Sequence, residues 1–253
     1  MNARLRPGAG LCGLGCVLLL LLGSAPASAG DADWLDFEGR IQYGFYTEDP
    51  RTIDGVLESL NHATSTEALQ GYYVALAEYR LALLDAPRAR DRARGAAERC
   101  ADALDAPLRA GEAPELLALQ SACLSLGATL RPLAPLASVR AGSTLRRALQ
   151  LAPKNPRVLL IDALEDYDHA GSAAAAQKRV LAKLQKCVAA FEIERAGKDH
   201  APGWGAAEAY AYLARSYLDT GDALAARGAL EHALLIVPDF AFARRLLRRI
   251  TAG

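Results

Sequence analysis

Apolar residues recur along this chain at intervals of three and four, in short stretches cut apart by proline, glycine and polar residues. That rhythm predicts a succession of short amphipathic helices, and no run of alternating apolar and polar residues predicts a strand. The first helix is expected from Trp34 to Tyr46, stopping at Thr47-Glu48-Asp49-Pro50. Thr52 to His62 follows, with Ile53, Val56, Leu57 and Leu60 on one face. Ser65 or Thr66 is placed to cap the next helix, with Glu67 in its first turn and Tyr72, Tyr73, Leu76 and Leu83 on its apolar side. Pro87 opens a helix ending near Leu104, and Pro114, a favourable first-turn residue, opens another running to about Leu130. Pro132 and Pro135 separate that helix from one ending in Ala148-Leu149-Gln150-Leu151-Ala152-Pro153.

Asn155-Pro156 starts a fourth pair through Val158, Leu159, Ile161 and Leu164, broken at Asp168-His169-Ala170-Gly171. Ser172 is positioned to cap a long helix whose inward residues include Val180, Leu184, Cys187 and Phe191. A polar loop, Ala196 to Gly203, precedes the clearest unit, Ala207 to Phe240. There Tyr210, Leu213, Ala214 and Tyr217 share a face, Gly221-Asp222 breaks the helix, and Ala226, Leu230 and Ala233 share the face of the next. Its ending, Ala233-Leu234-Leu235-Ile236-Val237-Pro238, echoes the Ala, Leu and Pro of 148–153. Such an echo marks an internal repeat. A single hairpin cannot bury its own apolar face, so stacked neighbours are implied. The spacing of large, small and aromatic residues resembles the tetratricopeptide repeat, a helical hairpin of about 34 residues. The expected architecture is all-α: a tetratricopeptide-like solenoid of about five hairpins with a short basic capping helix, Asp239 to Ile250.

The C-terminal part is also similar to exported bacterial tetratricopeptide-repeat proteins, through Asn155-Pro156-Arg157, Ala170-Gly171-Ser172, Trp204-Gly205 and Pro238-Asp239-Phe240. The double glycine usual at the second of these is reduced here to Gly171. These resemblances imply scaffolding without a reaction. In the repeat family the first helix of each hairpin lines a concave groove that holds extended peptides. Carried onto the fifth hairpin, the groove-facing positions are Glu208, Ala211, Arg215, Leu218 and Asp219. Tyr43, Tyr46, Tyr72, Tyr73, Tyr79, Tyr210, Tyr212 and Tyr217 all fall on first helices, and most are expected to pack between repeats with the hydroxyl left wet.

Residues 1–29 read as a signal peptide: Arg4 and Arg6, an apolar run from Leu11 to Leu22, then Ala27-Ser28-Ala29 before Gly30. The run falls short of the roughly 20 residues of a membrane-spanning helix. Residues 30–253 are then one solenoid domain, working outside the cytoplasm, with a periplasmic address and no stable span. The whole chain balances 29 basic against 29 acidic residues, so nothing advertises a polyanionic partner. Cys100, Cys123 and Cys187 remain beyond the leader; a Cys100–Cys123 bridge and three buried thiols are both open readings.

Catalytic constellations are missing from the sequence. Glu165, Asp166, Asp168 and His169, with Asp199 and His200, lack metal-ligand spacing and read as solvated helix ends. No Gly-x-Ser-x-Gly elbow or phosphate-binding glycine loop lies beyond residue 29. The arginines at 88, 90, 92, 94 and 99, and those at 244, 245, 248 and 249, have no interleaved aromatics to suggest nucleic acid, and read as solvated faces. The expected function is therefore non-enzymatic, without cofactor or metal: binding a protein or peptide of the bacterial cell envelope, with homo-oligomerisation left open. The alternative is a small-molecule-binding accessory of a solute transporter, which requires an enclosed pocket between hairpins.

Overall fold

A computed structural model describes residues 30–62, 67–131, 135–196 and 203–251. The leader, Ser65 and Thr66, Pro132, and the loop residues Asp199 and His200 lie outside the described residues. Within them the chain forms twelve α-helices and no strand. Five pairs follow one another: α1 (Gly30–Tyr46) with α2 (Pro50–Leu60), α3 (Glu67–Asp85) with α4 (Arg90–Ala103), and α6 (Pro114–Leu130) with α7 (Pro135–Leu151). The fourth is α8 (Pro156–Ala170) with α9 (Ala174–Ala196), the fifth α10 (Ala206–Asp219) with α11 (Ala223–Ile236), and α12 (Ala241–Thr251) closes the array. A short helix, α5 (Asp105–Ala110), occupies the joint expected between the second and third hairpins; its Pro107 packs against Gly71 of α3.

The polar breaks act as caps. Asp49, Asn155 and Asp222 each accept backbone N–H groups of the first turn they precede, at 2.9–3.1 Å. Gly171 ends α8 and Gly221 follows α10, both at positive φ, where a side chain would be strained. Within each hairpin small residues let the axes approach. Ala207, Ala211 and Ala214 of α10 and Ala226, Ala229 and Ala233 of α11 are all buried where the two helices pack.

Each second helix also packs on the first helix of the next hairpin: α2 on α3, α4 on α6, α7 on α8, α9 on α10 and α11 on α12. This is the stacking that a hairpin solenoid uses to bury what one unit cannot. The first helices stack on one another as well, α1 on α3, α3 on α6 and α6 on α8, and so form the inner layer. A disulfide between Cys100 of α4 and Cys123 of α6, with Cα atoms 5.9 Å apart, ties the second hairpin to the third. Cys187 is a free, fully buried thiol.

Candidate functional site

The inner layer is not an open trough. Arg80, from α3, is 2% exposed and reaches across to Glu208 of α10, itself 3% exposed, in an ion pair. Its guanidinium lies 4.1 Å from the centroid of the Phe45 ring and donates to Gln42 Oε1 at 3.3 Å. Burial alone would lower the Arg80 pKa, but Glu208 and the nearby Tyr46 and Tyr79 more than offset it, so the charge is held. Glu208 is fully engaged: Oε2 accepts from the Tyr46 hydroxyl at 2.6 Å and from the backbone N–H of Gly205 at 2.9 Å.

The Trp204-Gly205 pair sits at the centre of this arrangement. Trp204 is 1% exposed, donates its indole N–H to Tyr72 Oη at 2.7 Å, and lies between Arg80 and Arg157, whose guanidinium carbons are 5.2 and 5.8 Å from its ring. Arg157 is in turn clamped by Glu194 at 2.7 and 3.1 Å and faces Glu115 at 3.4 Å. Gly205 has φ +107°, and a Cβ there would meet Phe191 Cζ at 2.6 Å, so no other residue fits the turn that delivers the indole. Next to it, the Gly203 N–H donates to Glu38 of α1. Burial raises the Glu38 pKa against the opposing pull of that N–H, of Arg157 and of Tyr73. The concave face of the first hairpins is thus filled by the chain's own 203–208 segment.

The two ends of the array meet at one rim. Tyr46 of α1 packs edge-on against Phe240, ring centroids 4.7 Å apart, and Arg245 of α12 makes two hydrogen bonds to Glu48, at 2.5 and 2.8 Å. Glu48 is the only non-glycine residue with positive φ among the described residues, at 59°, which turns its carboxylate toward α12.

This self-closure corrects part of the sequence expectation. Glu208 and Ala211, expected to face a groove, are interior: Glu208 neutralises Arg80, and Ala211 is fully buried in the apolar cluster beneath. Leu218 is half-buried. Arg215 and Asp219 are exposed at the rim, where Arg215 lies 5.2 Å over the Tyr167 ring and Asp219 accepts from Tyr167 Oη at 2.8 Å. They line a cavity of about 440 Å³ between α8, α9 and α10, with Asp168 and Gln177 on the facing side. Burial, then the neighbouring Glu165, raises the Asp168 pKa.

Arg215 also borders a second cavity, of about 360 Å³, bounded by α1, the end of α3, α10 and the start of α12. Nothing in the local sequence pattern points to this one. Its walls come from residues far apart in the chain, and two of them, Arg88 and Arg245, belong to runs that read as solvated faces. Most of those runs do behave so: Arg92 pairs with Asp54 and Asp85, Arg94 with Asp91, Arg99 with Glu78, and Arg244 with Asp239.

Of the tyrosines on first helices, Tyr46, Tyr72, Tyr73, Tyr79 and Tyr210 are buried packing residues, Tyr212 and Tyr217 are half-buried, and Tyr43 is exposed. Asp166 of the acidic α8 end pairs with Lys183 at 2.8 Å, and among the described residues no three His, Cys, Asp or Glu side chains converge as a metal site would require. Nor, among those residues, is any helix long and apolar enough to cross a membrane.

No family model and no curated protein matches the chain. Among solved structures it is similar to one of the APC/C hetero-tetramer Cut9-Hcn1, with a TM-score of 0.49 and 12% identity, over 85% of this chain and 42% of that one. The chain therefore spans less than half the length of that neighbour. The fold is carried by the helix pairing itself: among the described residues the chain is a solenoid of stacked helical hairpins.

Proposed function

We propose that the protein is a non-catalytic binding scaffold of the bacterial cell envelope that holds an extended protein segment along the rim where α8 and α10 end. The observation that carries this reading is Arg215, an exposed cation shared by two adjoining cavities and seated on Tyr167. Aromatic and arginine anchors beside concave surface are the residues that dominate protein recognition. The filled inner face shifts recognition outward, from the groove floor to Arg215, Leu218 and Asp219. A disulfide between α4 and α6 suits an oxidising compartment and supports an address outside the cytoplasm.

The test is site-specific photo-crosslinking in intact cells, with the reactive residue at Leu218 and, as a control, at Leu224 on the exposed side of α11. A discrete partner caught from Leu218, absent from Leu224 and lost in Arg215→Glu/Asp219→Arg, is the expected result. Equal capture from both positions, or capture indifferent to the charge reversal, rules the rim out.

A further inference from the structure

We propose that the cavity at the meeting of α1, α3, α10 and α12 is a binding site for a small amphipathic organic anion, a carboxylate carried on an aromatic or aliphatic body. This cavity shares Arg215 with the rim proposed to hold a protein segment, and Arg88 is the arginine that belongs to it alone.

The floor selects an apolar body. Phe45, Tyr212, Phe240 and Phe242 form a continuous aromatic cluster, with ring centroids 5.8–6.5 Å apart between Phe45 and Phe240, Phe240 and Phe242, and Tyr212 and Phe242. Leu83 and Leu84 extend it from the end of α3. Burial, then nearby Asp168, pushes the Tyr212 phenol up to about 12, so it stays neutral.

The rim selects an anion. Three arginines, Arg88, Arg215 and Arg245, stand around the opening. Both acidic residues of the lining are already committed, Glu48 to Arg245 and Glu208 to Arg80. Among the described residues Arg88 and Arg215 make no ion pair, so two guanidinium groups are left to meet a ligand. Guanidinium binds carboxylate in a two-pronged geometry that a neutral amide cannot reproduce. A volume of about 360 Å³ is of the size that takes a small molecule rather than a folded surface. Because the walls come from both ends of the array, an occupant bridges them and raises the stability of the closed form.

The experiment uses 4-phenylbutyrate and decanoate as probes, with 4-phenylbutanamide as the uncharged control, in isothermal titration calorimetry and thermal unfolding of the purified protein. Saturable binding of at least one acid, a rise in Tm with it, and affinity for the amide weaker by roughly tenfold or more are the expected results. Arg88→Gln/Arg215→Gln removes two exposed side chains without touching the core and is expected to abolish the preference for acid over amide. The proposal is overturned if neither acid binds saturably in the millimolar range, if the amide binds as well as the acid, or if the double variant keeps the preference. Arg88 borders this cavity and not the one between α8, α9 and α10, so Arg88→Gln alone, with acid binding weakened and capture at Leu218 unchanged, separates this site from the protein-binding rim.

Discussion

Two buried arginines carry the interior of this solenoid: Arg80 is held by Glu208 from another hairpin, and Arg157 by Glu194 of its own hairpin and Glu115 of the one before. An unpaired charge in such a place is far more costly than the pair itself is favourable, because desolvation has already been met by both partners. Glu208→Ala is therefore expected to lower unfolding stability by about 3–5 kcal/mol, since it strands Arg80 and also removes the acceptor of Tyr46 and of the Gly205 N–H. Urea denaturation measures it, and Arg80→Met/Glu208→Met, which deletes both charges, is expected to recover much of the loss. A single-variant loss no larger than about 1 kcal/mol, the value of an exposed pair, would show that the pair is wet in solution.

At the scale of elements, stability comes from caps, small-residue crossings and one covalent tie. Cys100 and Cys123 close a loop with a sequence separation of 23 between α4 and α6. Constraining the unfolded chain over such a loop contributes about 3 kcal/mol, and reduction is expected to remove that much. Cys187 behaves oppositely. It is fully buried, donates toward the Pro156 carbonyl at 3.4 Å, and burial pushes its pKa up, so the reactive thiolate is scarce. In protein spanning residues 30–253, alkylation under native conditions should therefore label no thiol, and alkylation in denaturant without reductant should label one. Two further labels under non-reducing denaturation would mean that the bridge is absent.

For the whole molecule, the consequence of folding is that the two ends of the array close on each other through side chains. Tyr46 against Phe240, Glu48 with Arg245, and Arg80 with Glu208 join the first two hairpins to the last and its cap. Phe240 is 3% exposed between them. Phe240→Ala is expected to cost about 3–5 kcal/mol and to loosen the seam. Hydrogen exchange should then rise in α1 and α12 together while α6 and α7 stay protected. Faster exchange in α12 alone would mean that the ends are not coupled.

The helices themselves were legible because helical periodicity and caps are local: Asn155, Asp222, Gly221 and the Ala stripe of α10 and α11 act on residues within a turn or two of themselves. The hairpin repeat followed, since amphipathic hairpins have no other way to bury their faces. The short α5 escaped, lacking length for a period to show. The candidate site was legible only in part. Arg215 and Asp219 are exposed at the rim, whereas Glu208 and Ala211, expected to face a groove, are buried. Periodicity specifies which side of a helix is inward, not what lies across from it. A charged residue on the inner side reads as groove lining until its counter-charge, here Arg80 on a helix of another hairpin, is known. The Trp204-Gly205 pair stood out in the sequence, yet only the tertiary structure shows it as the plug of the concave face. The rim cavity draws on Phe45, Arg88, Tyr212 and Phe242, which nothing in the chain's local pattern connects. The sequence by itself determined the helices, their pairing and the stacked array, because each rests on short-range geometry and hydrophobic burial. Tertiary structure alone decided that the array closes on itself and where its free charges remain, because ion pairing and cavity shape depend on residues that meet only after the ends have come together.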